Sequence, residues 1–172
     1  MPAVLLLRLE GCCLMPGTRG HLSIRALGDL LHSELSLADV GHGGCPVILL
    51  GHSLGGLAIK ALCTEAHRQG TGQTQQAHKA AAFCASVRLA CFIATPHLGA
   101  TTADFVAKIE TVYWPAPVTL LLTTLNADAA CLTREFGSVK SQNNIRTLGF
   151  VETSPKVAQS MQADHRLPLI FL

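Results

Sequence analysis

At 172 residues, with 49% hydrophobic and 14% charged residues, the chain fits one domain with a sizeable core, and the composition excludes intrinsic disorder. A net charge of +2, no basic block and 5% aromatic residues leave no footprint for nucleic-acid binding. Seven cysteines, none forming C-x-x-C, read as buried free thiols of a reducing, intracellular compartment rather than a disulfide framework. The histidines show no metal-ligand spacing, so no metal and no cofactor is expected.

The chain opens on a predicted strand, Ala3–Leu9, with Val4, Leu5, Leu6, Leu7 and Leu9. Arg8 and Glu10 interrupt this apolar run and no basic segment precedes it, so no signal peptide is read. Gly11–Gly20 is a loop carrying Pro16, Gly17 and Gly20. Ser23 is placed to cap a helix over Ile24–Ser36, where Ile24, Leu27, Leu30, Leu31 and Leu35 fall at helical spacing. Gly41–Gly44 is the turn into the next strand.

Pro46–Leu57 carries the chemistry. Val47–Leu50 is a short continuous apolar run, as expected of a parallel strand covered on both faces. It leads directly into Gly51-His52-Ser53-Leu54-Gly55, a full match to G-x-S-x-G, and then Gly56. A serine that attacks a carbonyl must stand on a tight, strained turn at the carboxyl end of a sheet. Flanking glycines let strand and helix close around it. Ser53 is the candidate nucleophile. The Leu54 N–H is the candidate oxyanion donor, at the positive end of the following helix. The other reading of the same residues is an ordinary glycine-rich turn.

That helix is predicted from Gly55 to Arg68, burying Leu57, Ala61, Leu62 and Ala66 and turning Lys60, Glu65 and Arg68 to water. Gly70–Lys79 reads as a polar surface loop and Val87–Thr95 as a strand ending in Thr95-Pro96-His97-Leu98-Gly99. Asp104–Thr111, Val118–Leu125 and Thr133–Lys140 look helical, with a break at Pro115 and Pro117. Residues 100–144 are therefore read as a lid or cap inserted between two strands. Val118–Leu125 is too short to span a membrane, as is every other apolar run. Arg146–Val151 is a strand, Ser154-Pro155 opens a turn and a helix to about Ala163, and Leu167–Leu172 is a last short strand.

Three segments together carry a resemblance: Gly51–Lys60, Phe92–Gly99 and Phe150–Pro155. The chain resembles the lipase-like α/β-hydrolases of the serine-active-site-containing type, which are related to the GPI inositol-deacylases. In that family the three segments read approximately GHSLGGLVIK, FLGTPHRGS and FYETxP. The resemblance covers roughly residues 3–172. It implies an α/β chain with a three-layer α/β-hydrolase fold and a mostly parallel sheet. That sheet is incomplete at about five strands, with a helical lid-like insertion, in one partial domain over 1–172.

The implied activity is hydrolysis of a carboxylic or lipid ester through a Ser53 acyl-enzyme. The implied setting is often membrane-associated, in an organelle such as the endoplasmic reticulum or mitochondrion. Glu152, after the serine and before the expected histidine, sits in chain order as the triad acid; the alternative is a strand-end glutamate capping the Thr153–Ser154 turn. His52, Thr95, Pro96 and His97 are expected to shape the pocket beside the nucleophile. His97, His52 and His165 are also weighed as bases, but the family order puts the triad histidine after the final strand, beyond Leu172. Leu98 stands where the family usually has a basic residue. A second reading therefore stands beside the enzyme: a degenerate or truncated hydrolase-like module without a triad histidine, serving as an interaction domain.

Overall fold

The computed structural model describes the backbone of residues 3–7, 23–98, 118–151 and 169–171, and the side chains of 23–98 and 128–151. Its strands are β1 (Ala3–Leu7), β2 (Val47–His52), β3 (Val87–Ile93), β4 (Arg146–Val151) and β5 (Leu169–Phe171). Its helices are α1 (Ile24–Leu37), α2 (Leu54–Gln69), α3 (Gln75–Ser86) and α4 (Val118–Gln142). The five strands form one sheet in the order β1-β2-β3-β4-β5, and every neighbouring pair is parallel. Parallel neighbours put all the strand carboxyl ends on one edge. The register runs His52 to Ile93 and Ile93 to Phe150.

The two faces of the sheet differ. Val47, Leu49, Ala90, Phe92, Thr147 and Gly149 point to one side and are buried. On the other side Ile48, Leu50, Leu89, Ile93, Leu148 and Phe150 keep partial exposure, while Cys91 is buried. Among the described residues the first face is the more completely covered of the two. That face is covered through α2, against which α1, α3 and α4 each pack. The layer this builds, helices over a parallel sheet, is that of an α/β-hydrolase fold.

Helix α1 begins as predicted, with Ser23 Oγ accepting from the Ala26 N–H at 3.1 Å. Its buried face is rotated from the leucine stripe to Gly28, His32, Leu35 and Ser36, and Leu30 is left 47% exposed. Gly28 causes this. A Cβ there would stand 2.6 Å from the Ala61 carbonyl carbon, so the two helix backbones meet at that point.

Helix α2 buries Leu57, Ala61, Leu62 and Ala66 as expected, but it also buries Lys60 and Glu65, which were expected in water. Glu65 is held by the Arg68 guanidinium and by Gln69 Nε2 at 3.2 Å. The predicted loop over Gly70–Lys79 is in part a helix. Thr74 Oγ1 accepts from the Ala77 N–H at 3.1 Å, and an alanine-rich run then carries α3 to Ser86.

The two helices expected over Val118–Leu125 and Thr133–Lys140 are one, α4. Its carboxyl half buries Ala129, Leu132, Phe136 and Val139, with the Phe136 ring edge-on to Phe92 at 5.7 Å. Aromatic contacts of this kind favour edge-to-face geometry. This part of the expected insertion belongs to the core, while residues 99–117 lie outside the described set. Strand β4 has the predicted bounds and β3 ends at Ile93, two residues before the predicted Thr95, while β1 and β5 are described over Ala3–Leu7 and Leu169–Phe171 of their predicted spans.

Candidate active site

Strand β2 ends at His52 and α2 begins at Leu54, so Ser53 alone makes the reversal. Its φ of 53° and ψ of −124° are a conformation that favours glycine and costs an L-residue energy. The surroundings enforce it. The Ser53 N–H donates to the Ile93 carbonyl at 2.8 Å, one residue beyond the regular ladder, and the Gly56 N–H donates to the Ser53 carbonyl at 3.1 Å. The flanking glycines are required by close approach. A Cβ on Gly51 would stand 2.7 Å from both the Gly55 carbonyl oxygen and the Gly56 nitrogen. A Cβ on Gly56 would stand 2.0 Å from Thr95 Oγ1.

Leu54 is the first residue of α2, so its N–H has no carbonyl within the helix to bond. With the helix dipole behind it, the Leu54 N–H is a ready donor to an oxyanion. His52 is exposed at the strand end, and Ser53 and Leu54 are half-buried.

The neighbouring strand supplies the second wall. After β3 the chain turns at Ala94, also at positive φ (47°), whose N–H donates to the Phe150 carbonyl at 2.8 Å. Thr95 and Pro96 are buried, His97 is half-buried and Leu98 is 50% exposed. Thr95 Oγ1 donates to the Ile93 carbonyl at 3.5 Å, and its side chain faces Gly56. The structure thus brings Ser53, Leu54 and Thr95 together at one sheet edge, and the Thr95–Leu98 turn beside them. Glu152 follows the end of β4 in sequence but lies outside the described residues, as does His165. Among the described residues no side chain is hydrogen-bonded to the Ser53 hydroxyl, and no cluster of His, Cys, Asp and Glu could hold a metal ion.

Two polar residues of this region were not anticipated. Lys60 is 2% exposed; its Nζ lies 2.6 Å from His97 Nδ1 and donates to Thr133 Oγ1 at 2.7 Å. Thr133 Oγ1 in turn donates to the His97 carbonyl at 2.5 Å. The Lys60 Nζ also lies 5.5 Å from the centre of the Phe92 ring, a cation–π distance. The signal for Lys60 is helical spacing. It lies four residues after Gly56, so both face the Thr95–Leu98 turn from one side of α2. Thr133 carries no comparable signal.

A parallel sheet with a strained serine between strand and helix at its carboxyl edge defines an α/β-hydrolase-like chain of the serine esterase type. The family model described as "Putative serine esterase (DUF676)" matches residues 24–154, and the chain belongs to that family. Among curated proteins it is similar to Protein SERAC1 of Mus musculus, 28% identical over 147 residues, covering 86% of this chain and 21% of that protein. Protein SERAC1 of Bos taurus is 28% identical over 133 residues, covering 77% and 19%. Protein SERAC1 of Homo sapiens is 27% identical over 133 residues, with the same coverage. The chain thus spans about a fifth of the length of these relatives. Among solved structures, Bacillus licheniformis lipase BlEst2 in mature form is similar at 18% identity and a TM-score of 0.36, covering 74% of this chain and 47% of that one.

Proposed function

We propose that this chain is the nucleophile-bearing part of a serine hydrolase that cleaves carboxylic or lipid esters. Ser53 attacks the ester carbonyl and becomes acylated, and the Leu54 N–H at the start of α2 stabilises the oxyanion. Glu152 orients the histidine that serves as base, and His52, Thr95, Pro96 and His97 shape the acyl pocket. The observation that carries this reading is the φ/ψ pair of 53° and −124° at Ser53. A residue held there by both neighbouring strand and helix is strained for exposure of its side chain. A lipid ester substrate, contact of Val118–Leu125 with a membrane surface, and residence in a membrane-bounded organelle belong to the same proposal. Among the described residues no helix is long and apolar enough to cross a membrane.

A second reading, a hydrolase-like module without catalysis, is favoured by one observation: among the described residues no base reaches the Ser53 hydroxyl. A serine without its base loses several orders of magnitude in rate. Hydrolysis of p-nitrophenyl esters from acetate to palmitate decides between the two. The esterase reading expects turnover that falls by about a thousandfold or more in Ser53→Ala and steeply in Glu152→Gln. Equal turnover in wild type and Ser53→Ala would reject Ser53 as the nucleophile.

A further inference from the structure

The contacts within the buried cluster behind the elbow constrain the direction of its hydrogen bonding. Thr133 spends its single proton on the His97 carbonyl at 2.5 Å, so towards Lys60 it can only accept, at 2.7 Å. Lys60 therefore donates to Thr133, which amine and ammonium both can do, and it is the Phe92 ring, 5.5 Å from the same nitrogen, that favours the ammonium form. An ammonium has no lone pair, so the 2.6 Å contact to His97 Nδ1 requires that nitrogen to be unprotonated. The proton of the neutral ring is then on Nε2. A doubly protonated ring would set a second cation at 2.6 Å from the first.

We infer that Lys60 is a positioning residue: its ammonium fixes His97 as the Nε2–H tautomer and, with Thr133, ties the Thr95–Leu98 turn to the helix that follows the nucleophile. His97 is then a donor through Nε2 and is not the base that activates Ser53. The catalytic consequence rests on the proposed esterase reading; the tautomer does not. The cluster joins α2, the turn after β3 and α4 at one point. A shift of any one is therefore felt at the wall beside Ser53, where positioning errors of about 1 Å cost up to about a hundredfold in rate.

The test is a long-range proton–nitrogen NMR spectrum of the nitrogen-labelled 172-residue chain, with His97 assigned by its loss in His97→Asn. Labelling of Ser53 by a fluorophosphonate probe is followed in parallel. Wild type should show His97 Nδ1 unprotonated and Nε2 protonated. Lys60→Met, which keeps the apolar stem, should release the ring to a mixture of tautomers and slow labelling by about tenfold to a hundredfold. Thr133→Val removes the anchor on the His97 carbonyl but leaves the ammonium, so the tautomer should persist while labelling slows less. An Nδ1–H tautomer in wild type would overturn the inference without any variant. An unchanged tautomer in folded Lys60→Met would overturn it too. A wild type that shows the Nε2–H ring but never labels would sustain the Lys60–His97 assignment and reject instead the activation of Ser53 within these 172 residues.

Discussion

Two turns leave the carboxyl edge of the sheet side by side, after β2 and after β3, and each places a non-glycine residue at positive φ, Ser53 at 53° and Ala94 at 47°. Each also extends the ladder by one bond, from Ser53 to the Ile93 carbonyl and from Ala94 to the Phe150 carbonyl, both at 2.8 Å. They are held in different ways. The first is shaped mainly by its own neighbours, since Gly51 lets the strand end meet the Gly55 carbonyl and the Gly56 nitrogen at the start of α2. The second is held from a distance, by Lys60 on α2 and Thr133 on α4. Local encoding gives a motif that can be read; distant encoding gives a wall that can be moved without touching the serine.

The largest expected effect comes from closing the space between the two turns. In Gly56→Ala the new Cβ meets Thr95 Oγ1 at 2.0 Å and Thr95 Cγ2 at 2.5 Å. Overpacking of this kind costs about 1–3 kcal/mol, and denaturant melts should record it. Gly56→Ala with Thr95→Ala should lose less than the sum of the single variants, since both act on one contact. Additive losses would mean that the turns are not coupled there.

Next in size is release of strain. Ser53→Gly should gain about 1 kcal/mol of stability while losing all covalent labelling, because glycine adopts this conformation without penalty. Ala94→Gly should gain less, with labelling kept. Equal gains and equal labelling would remove the distinction between the turns.

The helices behind the turns respond to acid. Burial pushes the His32 imidazole below its ordinary value of 6.5. The Arg68 guanidinium holds Glu65, and Arg25 holds Glu135, below the ordinary carboxylate value of 4.5. Each group binds its proton more readily in the unfolded chain, so protonation favours unfolding. The stability each contributes is complete above its unfolded value and is lost as the pH falls through the folded one. The melting temperature should begin to drop below about pH 6.5 and drop further below about pH 4.5. His32→Leu should flatten the first step and leave the second.

The smallest effect is chemical. Burial pushes the Cys84 thiol up to about 12 and raises Cys63 as well, whereas Cys45 is exposed. Iodoacetamide should modify Cys45 well before Cys63 and Cys84 in the native chain, as thiolate access dictates. Mass spectrometry of the peptides reads the order.

How much of this was legible follows the same division. The elbow, the cap at Ser23 and the bounds of β4 depend on near neighbours, and sequence spacing alone marks them. The buried face of α1 departs from the leucine stripe because one glycine, Gly28, lets Ala61 approach more closely than a larger side chain allows. Lys60 was placed in water because charge usually outweighs position. Its partners stand 37 and 73 residues away, and no local pattern announces them. The glutamines of Gly70–Lys79 mask the start of helix α3, whose N-cap is Thr74.

The most direct test of the central claim is intact-mass and peptide mapping of the chain after reaction with diisopropyl fluorophosphate. A single phosphoryl adduct on Ser53, absent from Ser53→Ala, is the predicted result. A folded chain that takes up no adduct, or takes it up on another residue, would contradict the assignment of Ser53 as an activated nucleophile.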